Sequence, residues 1–305
     1  MKVFVTGAAG FAGQYVVREL LEKNHSVRAL IHQTPAPEEW KSRGVEIVEG
    51  DLTQPESLKG KLEGCGAAVN LAGIMVERGE QTFHRIYYEG IRNLVEAARA
   101  AGIKRFIHMS ALGARPAAAS QYHLAHYMAE QTILDAPVIQ TIFRPSILFG
   151  PGSRFCDLLV RIVHKYPVVP VITSHHGCVQ PIHVNETARC VADSLEREET
   201  FYQTYELGGP AIYSMRELLK TFADAFGKSP LFITIPVEMM PLPAYLMERY
   251  LSNPPFTPDI LKILQENLSC ETQRIQETFG VPQKPMEECL REHFGAVFPR
   301  RAAAA

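Results

Sequence analysis

The sequence predicts an α/β protein in which a doubly wound parallel sheet is followed by a smaller C-terminal α/β domain. From Lys2 to about Arg144, short β-rich apolar runs alternate with segments of helical periodicity, an order that is typical of parallel sheets. After Arg144 this alternation weakens and prolines become frequent. We therefore expect a sheet domain over 1–150, to which residues near 179–210 return, and a smaller domain over 151–300.

The spacing of the apolar residues predicts the individual elements of both parts. In the first part, strands are predicted at 2–6, 26–32, 45–49, 67–71, 105–110 and 138–144. The helices between them are predicted at 11–23, 54–63, 81–101 and 121–136. In the second part, helices are predicted at 154–165, 185–197, 214–227, 237–251 and 258–267, and short strands at 168–172, 203–207 and 231–235.

The composition narrows the class of protein. The formal charge of −2 over 305 residues comes without any block of like charge, so we expect no nucleic-acid surface and no acidic tail. The six cysteines have no Cys-x-x-Cys spacing and are interpreted as reduced thiols. The first strand begins at Lys2, which leaves no room for a leader peptide, and the apolar runs are too short to cross a bilayer. We expect a cytoplasmic protein with no transmembrane segment.

Three glycines separate the first strand from the first helix in the stretch KVFVTGAAGFAG. A pyrophosphate can sit on the free N–H groups at a helix N-terminus only when no Cβ stands between them, and the last glycine lets the helix pack on its strand. Because a second strand follows, this βαβ context predicts a Rossmann domain that binds NAD(P). The residues expected to contact the dinucleotide here are Gly7, Ala9, Gly10, Phe11, Ala12 and Gly13.

The residues after the next three strands are further candidates, because ligands of such sheets bind beyond the carboxyl ends of the strands. At the end of the second strand, an acid would hold the ribose 2′-hydroxyl of NAD and an arginine would hold the 2′-phosphate of NADP. His32 stands there and can donate to a phosphate, which favours NADP; the alternative is a solvated loop residue. Asp51 can accept a hydrogen bond from an adenine amino group or cap a helix. The contacts expected after the third and fourth strands are Asp51, Leu52, Leu71, Ala72 and Gly73.

Catalytic chemistry is predicted where the fifth strand ends. Ser110 follows that strand and Tyr122 lies in the next helix, so both are expected at the sheet edge that carries the glycine turn. A tyrosine hydroxyl can pass a proton to or from a substrate oxygen while a serine holds that oxygen. A free tyrosine has a pKa of about 10, so a cation one helical turn away is needed to lower it. The residue in that place is His126.

Together these motifs resemble the extended or atypical short-chain dehydrogenases/reductases. The matching segments are Thr6-Gly7-x-x-Gly10-x-x-Gly13, Asp51-Leu52, Leu71-Ala72-Gly73, Ser110, Tyr122-x-x-x-His126 and Arg144-Pro145-Ser146. The runs EGIRNLVEAARAAGIKRFIHMSALGA and FRPSILFGPG are especially similar to the branch that contains the NADPH-binding 39 kDa accessory subunit of respiratory complex I and its bacterial relatives. The resemblance covers nearly the whole chain and implies that Tyr122, His126, Pro145 and Ser146 also contact the cofactor.

Three residues depart from the family pattern. The resemblance implies a lysine at position 126, which would lower the tyrosine pKa and bond the nicotinamide ribose. A histidine is mostly neutral at pH 7, so His126 replaces the hydrogen bond but only part of the charge. Tyr87 stands where extended members carry an asparagine, and Asn185 stands where an aspartate is usual.

Two functions are compatible with this pattern. The first is an NAD(P)-dependent oxidoreductase or epimerase that acts on a carbonyl or hydroxyl of an unidentified small molecule through Tyr122, Ser110 and His126. The second is a catalytically silent, nucleotide-bound accessory, assembly or redox-sensing subunit of a larger assembly similar to complex I. The second function would place the protein at the periphery of a membrane complex. Neither function calls for a metal site.

Overall fold

A computed structural model describes residues 1–252, 254–281 and 283–294. Its strands are β1 (Lys2–Thr6), β2 (Ser26–Ile31), β3 (Glu46–Glu49), β4 (Ala67–Asn70), β5 (Arg105–Met109), β6 (Ile139–Pro145), β7 (Leu148–Phe149), β8 (Val168–Thr173), β9 (Cys178–Val179), β10 (Ile182–His183), β11 (Gln203–Leu207), β12 (Leu231–Pro236) and β13 (Asn267–Leu268). Its α-helices are α1 (Phe11–Glu22), α2 (Glu39–Ser42), α3 (Gly90–Ala100), α4 (Gln121–Leu134), α5 (Arg154–Lys165), α6 (Val184–Ser194), α7 (Met215–Ala225), α8 (Pro241–Tyr250), α9 (Pro258–Ile263), α10 (Gln273–Phe279) and α11 (Met286–Phe294).

The chain divides into two compact units. The first unit contains Met1–Pro145, Asn185–Leu207 and Gln273–Val281. The second contains Ser146–Val184, Gly208–Thr272 and the described residues that follow Val281. The chain therefore leaves the first unit after β6 and returns to it twice.

The first unit is built on a parallel sheet with the strand order β11-β6-β5-β4-β1-β2-β3. Its central strands are fully buried, as the apolar run Val3, Phe4 and Val5 in β1 illustrates. The strand order reverses between β1 and β4, and such a reversal opens a ligand crevice at the carboxyl ends of the two strands. The predicted doubly wound α/β fold is confirmed.

One predicted helix in this unit is wrong and another is altered. The segment 54–63 contains only a 3₁₀ turn over Pro55–Leu58, because Gly60 and Gly64 with φ of +71° and +74° end any helical path. The predicted helix 81–101 begins as a π-helical turn over His84–Glu89 and becomes regular only in α3.

The second unit contains three parallel strand pairs, β7 with β10, β8 with β12, and β9 with β13, among the described residues. Helix α7 begins at a capping box in which Ser214 and Glu217 satisfy each other's backbone N–H groups. The predicted helix 258–267 is too long: α9 ends at Ile263, and Asn267–Leu268 forms β13. No helix in the described part of the chain is both long and apolar enough to cross a membrane.

Candidate functional site

The glycine turn after β1 is in close contact with neighbouring backbone. Gly7 has φ +64°, and a Cβ on it would lie 2.6 Å from the carbonyl carbon of Leu71 and from the amide nitrogen of Ala72. A Cβ on Gly13 would lie 2.1 Å from the carbonyl oxygen of Gly7. Both contacts are with backbone that cannot move aside, so these two positions require glycine.

The N-terminus of α1 faces the crevice and fits the phosphates of a dinucleotide. Gly10 occupies the N-cap with φ −70° and ψ 172° and has no side chain to cap the first turn. The first N–H groups of a helix have no acceptor within the helix, and they bind anions well. The side-chain amide of Gln14 donates to the carbonyl oxygen of Ala9 at 2.9 Å and holds the turn. The residues of this turn therefore fit a pyrophosphate.

At the ends of β2 and β3, two of the predicted cofactor residues contact each other. His32 Nε2 lies 3.5 Å from Asp51 Oδ2. The other carboxylate oxygen, Oδ1, accepts hydrogen bonds from the amide N–H of Thr53 at 2.8 Å and from its hydroxyl at 2.9 Å. Asp51 therefore closes a short turn and does not cap a helix, and its Oδ2 faces the half-exposed histidine. The carbonyl of Leu52 accepts from the side chain of Asn93 at 2.8 Å.

A row of buried polar side chains crosses the carboxyl ends of β1, β4 and β5. The Thr6 hydroxyl donates to Asn70 Oδ1 at 2.5 Å, and Asn70 Nδ2 lies 3.0 Å from His108 Nδ1. Because an amide nitrogen only donates, Nδ1 of His108 accepts and its ring proton is placed on Nε2. Complete burial lowers the pKa of His108 to about 3, so this ring is neutral at neutral pH.

The predicted catalytic tyrosine and histidine stand together on α4. Ser120 caps this helix by accepting from the amide of His123 at 3.1 Å. One turn further along, the rings of Tyr122 and His126 lie 4.6 Å apart at 75°. Burial raises the pKa of Tyr122 to about 12 and holds the pKa of His126 well below its ordinary value. Near neutral pH both side chains are therefore uncharged, and His126 does not supply the positive charge of a lysine.

Tyr87 belongs to the same cluster, although we predicted no role for it. Its hydroxyl donates to the carbonyl oxygen of Ile74 at 2.8 Å and accepts from the amide of Ile74 at 3.0 Å. Its ring lies 6.0 Å from that of Tyr122 and 4.1 Å from that of His126. The available signal was the departure at position 87 from the asparagine of the family pattern.

Ser110 and His126 carry buried polar atoms that lack a hydrogen-bond partner in the described part of the chain. Ser110 is 4% exposed and His126 is 3% exposed. Among the described residues, no group hydrogen-bonds the hydroxyl of Ser110 or either ring nitrogen of His126. Buried polar atoms are nearly always paired, so this arrangement fits a polar ligand that supplies the missing partners.

Pro145 and Ser146 lie at the boundary between the two units. The carbonyl oxygen of Pro145 accepts from the amide of Leu112 at 2.9 Å. The Ser146 hydroxyl donates to the carbonyl oxygen of Leu268 at 2.8 Å and accepts from the amide of Gln180 at 3.1 Å. Contacts of these two residues with the cofactor stay a prediction.

Comparisons with known proteins agree with the geometry of the crevice. A family model described as NAD(P)H-binding matches residues 7–152. The chain is 32% identical over 241 residues to a ceramide reductase from Caulobacter vibrioides, which covers 77% of this chain and 73% of the relative. It is 27% identical over 273 residues to subunit 9 of the NADH dehydrogenase (ubiquinone) 1 alpha subcomplex from Arabidopsis thaliana mitochondria, covering 86% of this chain and 68% of the relative.

A solved structure shows the same fold. The NADPH-dependent quinone oxidoreductase from Escherichia coli, complexed with NADPH, matches with a TM-score of 0.78 at 16% identity over 95% of this chain and 99% of that one. The glycine cradle, the order of the strands and these matches lead to one conclusion: the chain is an NAD(P)-binding member of the extended or atypical short-chain dehydrogenases/reductases.

Proposed function

We propose that this protein is an NADP(H)-dependent reductase that converts a carbonyl group of a small molecule into an alcohol. The observation that carries the proposal is the buried cluster at the carboxyl end of β5. There a neutral Tyr122 adjoins His126, whose ring nitrogens, like the hydroxyl of Ser110, have no partner among the described residues. In this proposal Tyr122 gives a proton to the substrate oxygen while Ser110 holds that oxygen.

The residues of the crevice have separate tasks in holding the cofactor. The backbone from Gly7 to Gly13 takes the pyrophosphate, Asp51 and Leu52 take the adenine, and the segment from Leu71 to Gly73 lies against a ribose. When bound, the nicotinamide supplies the hydride. His126 takes the place of the ribose-binding lysine, with one ring nitrogen as donor and the other as acceptor.

The preference for NADP rests on the end of β2. Among charged partners, His32 meets only Asp51 in the described residues, and it is half exposed. A 2′-phosphate beside this ring would compete with Asp51 for its N–H group. We expect His32→Ala to weaken binding of NADPH more than binding of NADH, as measured by fluorescence titration of both cofactors.

The protonation of Tyr122 favours reduction over the reverse reaction. With a pKa of about 12, the hydroxyl holds its proton at neutral pH. Such a group can donate a proton to a developing alkoxide, but it is a poor base for removing a proton from an alcohol. Epimerisation requires both directions within one turnover, so the same argument favours a reductase over an epimerase.

The proposal is tested by following NADPH oxidation with a panel of ketones and aldehydes. We expect Tyr122→Phe to lower kcat about 10²- to 10⁴-fold, the usual contribution of a positioned acid. The Kd for NADPH should change little. His126→Lys places a cation beside the tyrosine and should raise turnover in the direction of alcohol oxidation. A wild-type protein and a lysine variant that both leave every carbonyl unreduced would overturn the proposal.

A second candidate is a nucleotide-bound subunit without turnover. The observation in its favour is the lack of a cation beside Tyr122 among the described residues, together with the mitochondrial NADH dehydrogenase relative. Mass spectrometry of nucleotide released from freshly purified protein distinguishes the two. Tightly held NADPH that resists oxidation by added carbonyl compounds supports the subunit, whereas weak and exchangeable cofactor supports the enzyme.

A further inference from the structure

The geometry points to Tyr87 as a positioning residue that fixes both the hydroxyl of Tyr122 and the loop after β4. This inference rests on the proposed function for its effect on turnover. Its effects on cofactor affinity and on the environment of Tyr122 do not depend on any reaction.

The Tyr87 hydroxyl is hydrogen-bonded to the loop that follows β4. This one oxygen meets both backbone groups of Ile74, four residues beyond the end of β4. A Cβ on Gly73 would lie 2.5 Å from the same oxygen. The Tyr87 hydroxyl therefore fixes the conformation of the loop after β4. Residue 73 must be glycine because a Cβ there would clash with that hydroxyl.

The helix around Tyr87 is irregular. Tyr87 lies within the π-helical turn His84–Glu89, and its ring is 3% exposed. π-helical turns are rare and often mark functional sites, because the extra residue rotates the side chains that follow it. The irregular turn therefore lies at the residue whose side chain enters the cluster.

Tyr87 packs against both Tyr122 and His126. Its ring lies 4.1 Å from that of His126 and 6.0 Å from that of Tyr122, the second pair crossing at 88°. Because the Tyr87 oxygen is held by the backbone of Ile74, its ring has a fixed position, and the ring of Tyr122 packs edge-on against it. This packing defines where the ring of Tyr122, and with it the Tyr122 hydroxyl, can lie. Tyr87 thus ties the proton donor to the loop that is expected to meet the cofactor ribose.

The test compares Tyr87→Phe with Tyr88→Phe as a matched control. Tyr88 is the next residue in the same turn, but its ring packs against His84 at 5.1 Å and below Arg92 at 5.9 Å, outside the cluster. Each variant loses one hydroxyl and keeps its ring. Three measurements are made: the Kd for NADPH, the ¹³C shift of Tyr122 Cζ in tyrosine-labelled protein assigned with Tyr122→Phe, and the steady-state kinetics (kcat and KM) with a carbonyl substrate.

We expect Tyr87→Phe to raise the Kd for NADPH roughly tenfold, the loss of one to two buried hydrogen bonds. It should also move the Tyr122 Cζ signal and lower kcat more than it changes KM. Tyr88→Phe should leave all three unchanged. A Tyr87→Phe protein with wild-type Kd and an unmoved Tyr122 signal would overturn the inference.

Gly73→Ala provides a second route if Tyr87→Phe does not fold. Its Cβ would push against the Tyr87 hydroxyl while leaving the tyrosine in place. The same changes in Kd and in the Tyr122 signal are expected, and their absence would contradict the inference. Lack of carbonyl reduction by the wild-type protein contradicts only the proposed function, because the Kd and the Tyr122 signal can still be measured.

Discussion

The two ends of β5 contain buried polar side chains in opposite situations. At the start of the strand, Arg105 is 6% exposed, yet its guanidinium donates to the carbonyl oxygens of Ile139 at 2.8 Å and Ser194 at 2.5 Å and to the Thr141 hydroxyl at 2.7 Å. Just past the strand, the buried hydroxyl of Ser110 meets no protein partner among the described residues. The comparison teaches that one end of the sheet stabilises the fold, whereas the other end leaves its polar groups available to a ligand.

The largest loss of stability is expected when the hydrogen bonds of Arg105, at the start of β5, are removed. Burial lowers the pKa of Arg105 to about 10, so the side chain stays charged at neutral pH and its acceptors depend on it. Arg105→Met removes the buried guanidinium and all the hydrogen bonds it donates, and it should lower the free energy of unfolding by about 3–5 kcal/mol. Chemical denaturation measures the loss.

Arg99→Met, on the exposed face of α3, serves as the control and should change stability by less than about 0.5 kcal/mol. The Kd for NADPH of the folded Arg105→Met protein should equal that of wild type. A clear loss of affinity would contradict the division of tasks between the two ends of β5.

Lowering the pH is expected to have a smaller effect on the free energy of unfolding. His108 and His126 have lowered pKa values in the folded protein, so the unfolded chain binds protons that the folded chain does not. The free energy of unfolding should therefore fall as the pH drops below about 6.5, by about 1.4 kcal/mol per pH unit for each histidine. For His108 this loss continues toward its folded pKa of about 3.

Denaturation curves measured from about pH 6.5 to about pH 5 test this expectation. His108→Gln should remove its share of the slope, whereas His175→Gln in an exposed loop should leave the slope as it is. Equal slopes in wild type and His108→Gln would show that the buried ring does not resist protonation.

The smallest change in stability is expected from substitution of Ser110, just past the end of β5. Ser110→Ala removes a buried hydroxyl that has no partner in the described protein, so the free energy of unfolding should stay within about 1 kcal/mol of wild type or rise slightly. Carbonyl reduction should fall at least tenfold if the hydroxyl holds the substrate oxygen, an effect of about 1.4 kcal/mol on the barrier. A large loss of stability would place Ser110 among the structural residues instead.

The strand pattern of the first unit was predictable because the buried strands contain short apolar runs, such as residues 3–5 in β1 and Phe106 with Ile107 in β5. The glycine turn was predictable because close backbone contacts at Gly7 and Gly13 leave one residue type. The predicted helix at 54–63 was wrong because apolar spacing does not reveal the positive φ of Gly60, inside the segment, or of Gly64, which follows it. The departure at Tyr87 was visible in the sequence, but its role was not predicted, because that role depends on the loop after β4 and on a π-helical turn, neither of which leaves a periodic signal. The two-residue strands of the second unit could not be predicted, because two residues are too few to show a hydrophobic periodicity.

The path of the chain also constrains the order in which the first unit can form. Edge strand β11 pairs with β6 only after the chain has passed through Ser146–Val184, and Phe279 of α10 then packs on Tyr205 at 5.2 Å. Until those segments emerge from the ribosome, β6 has an unpaired edge and Arg105 lacks the carbonyl of Ser194. Such late, long-range closure slows folding and exposes a strand edge to other chains. Nascent copies of this protein should therefore need protection from aggregation between the emergence of β6 and that of β11.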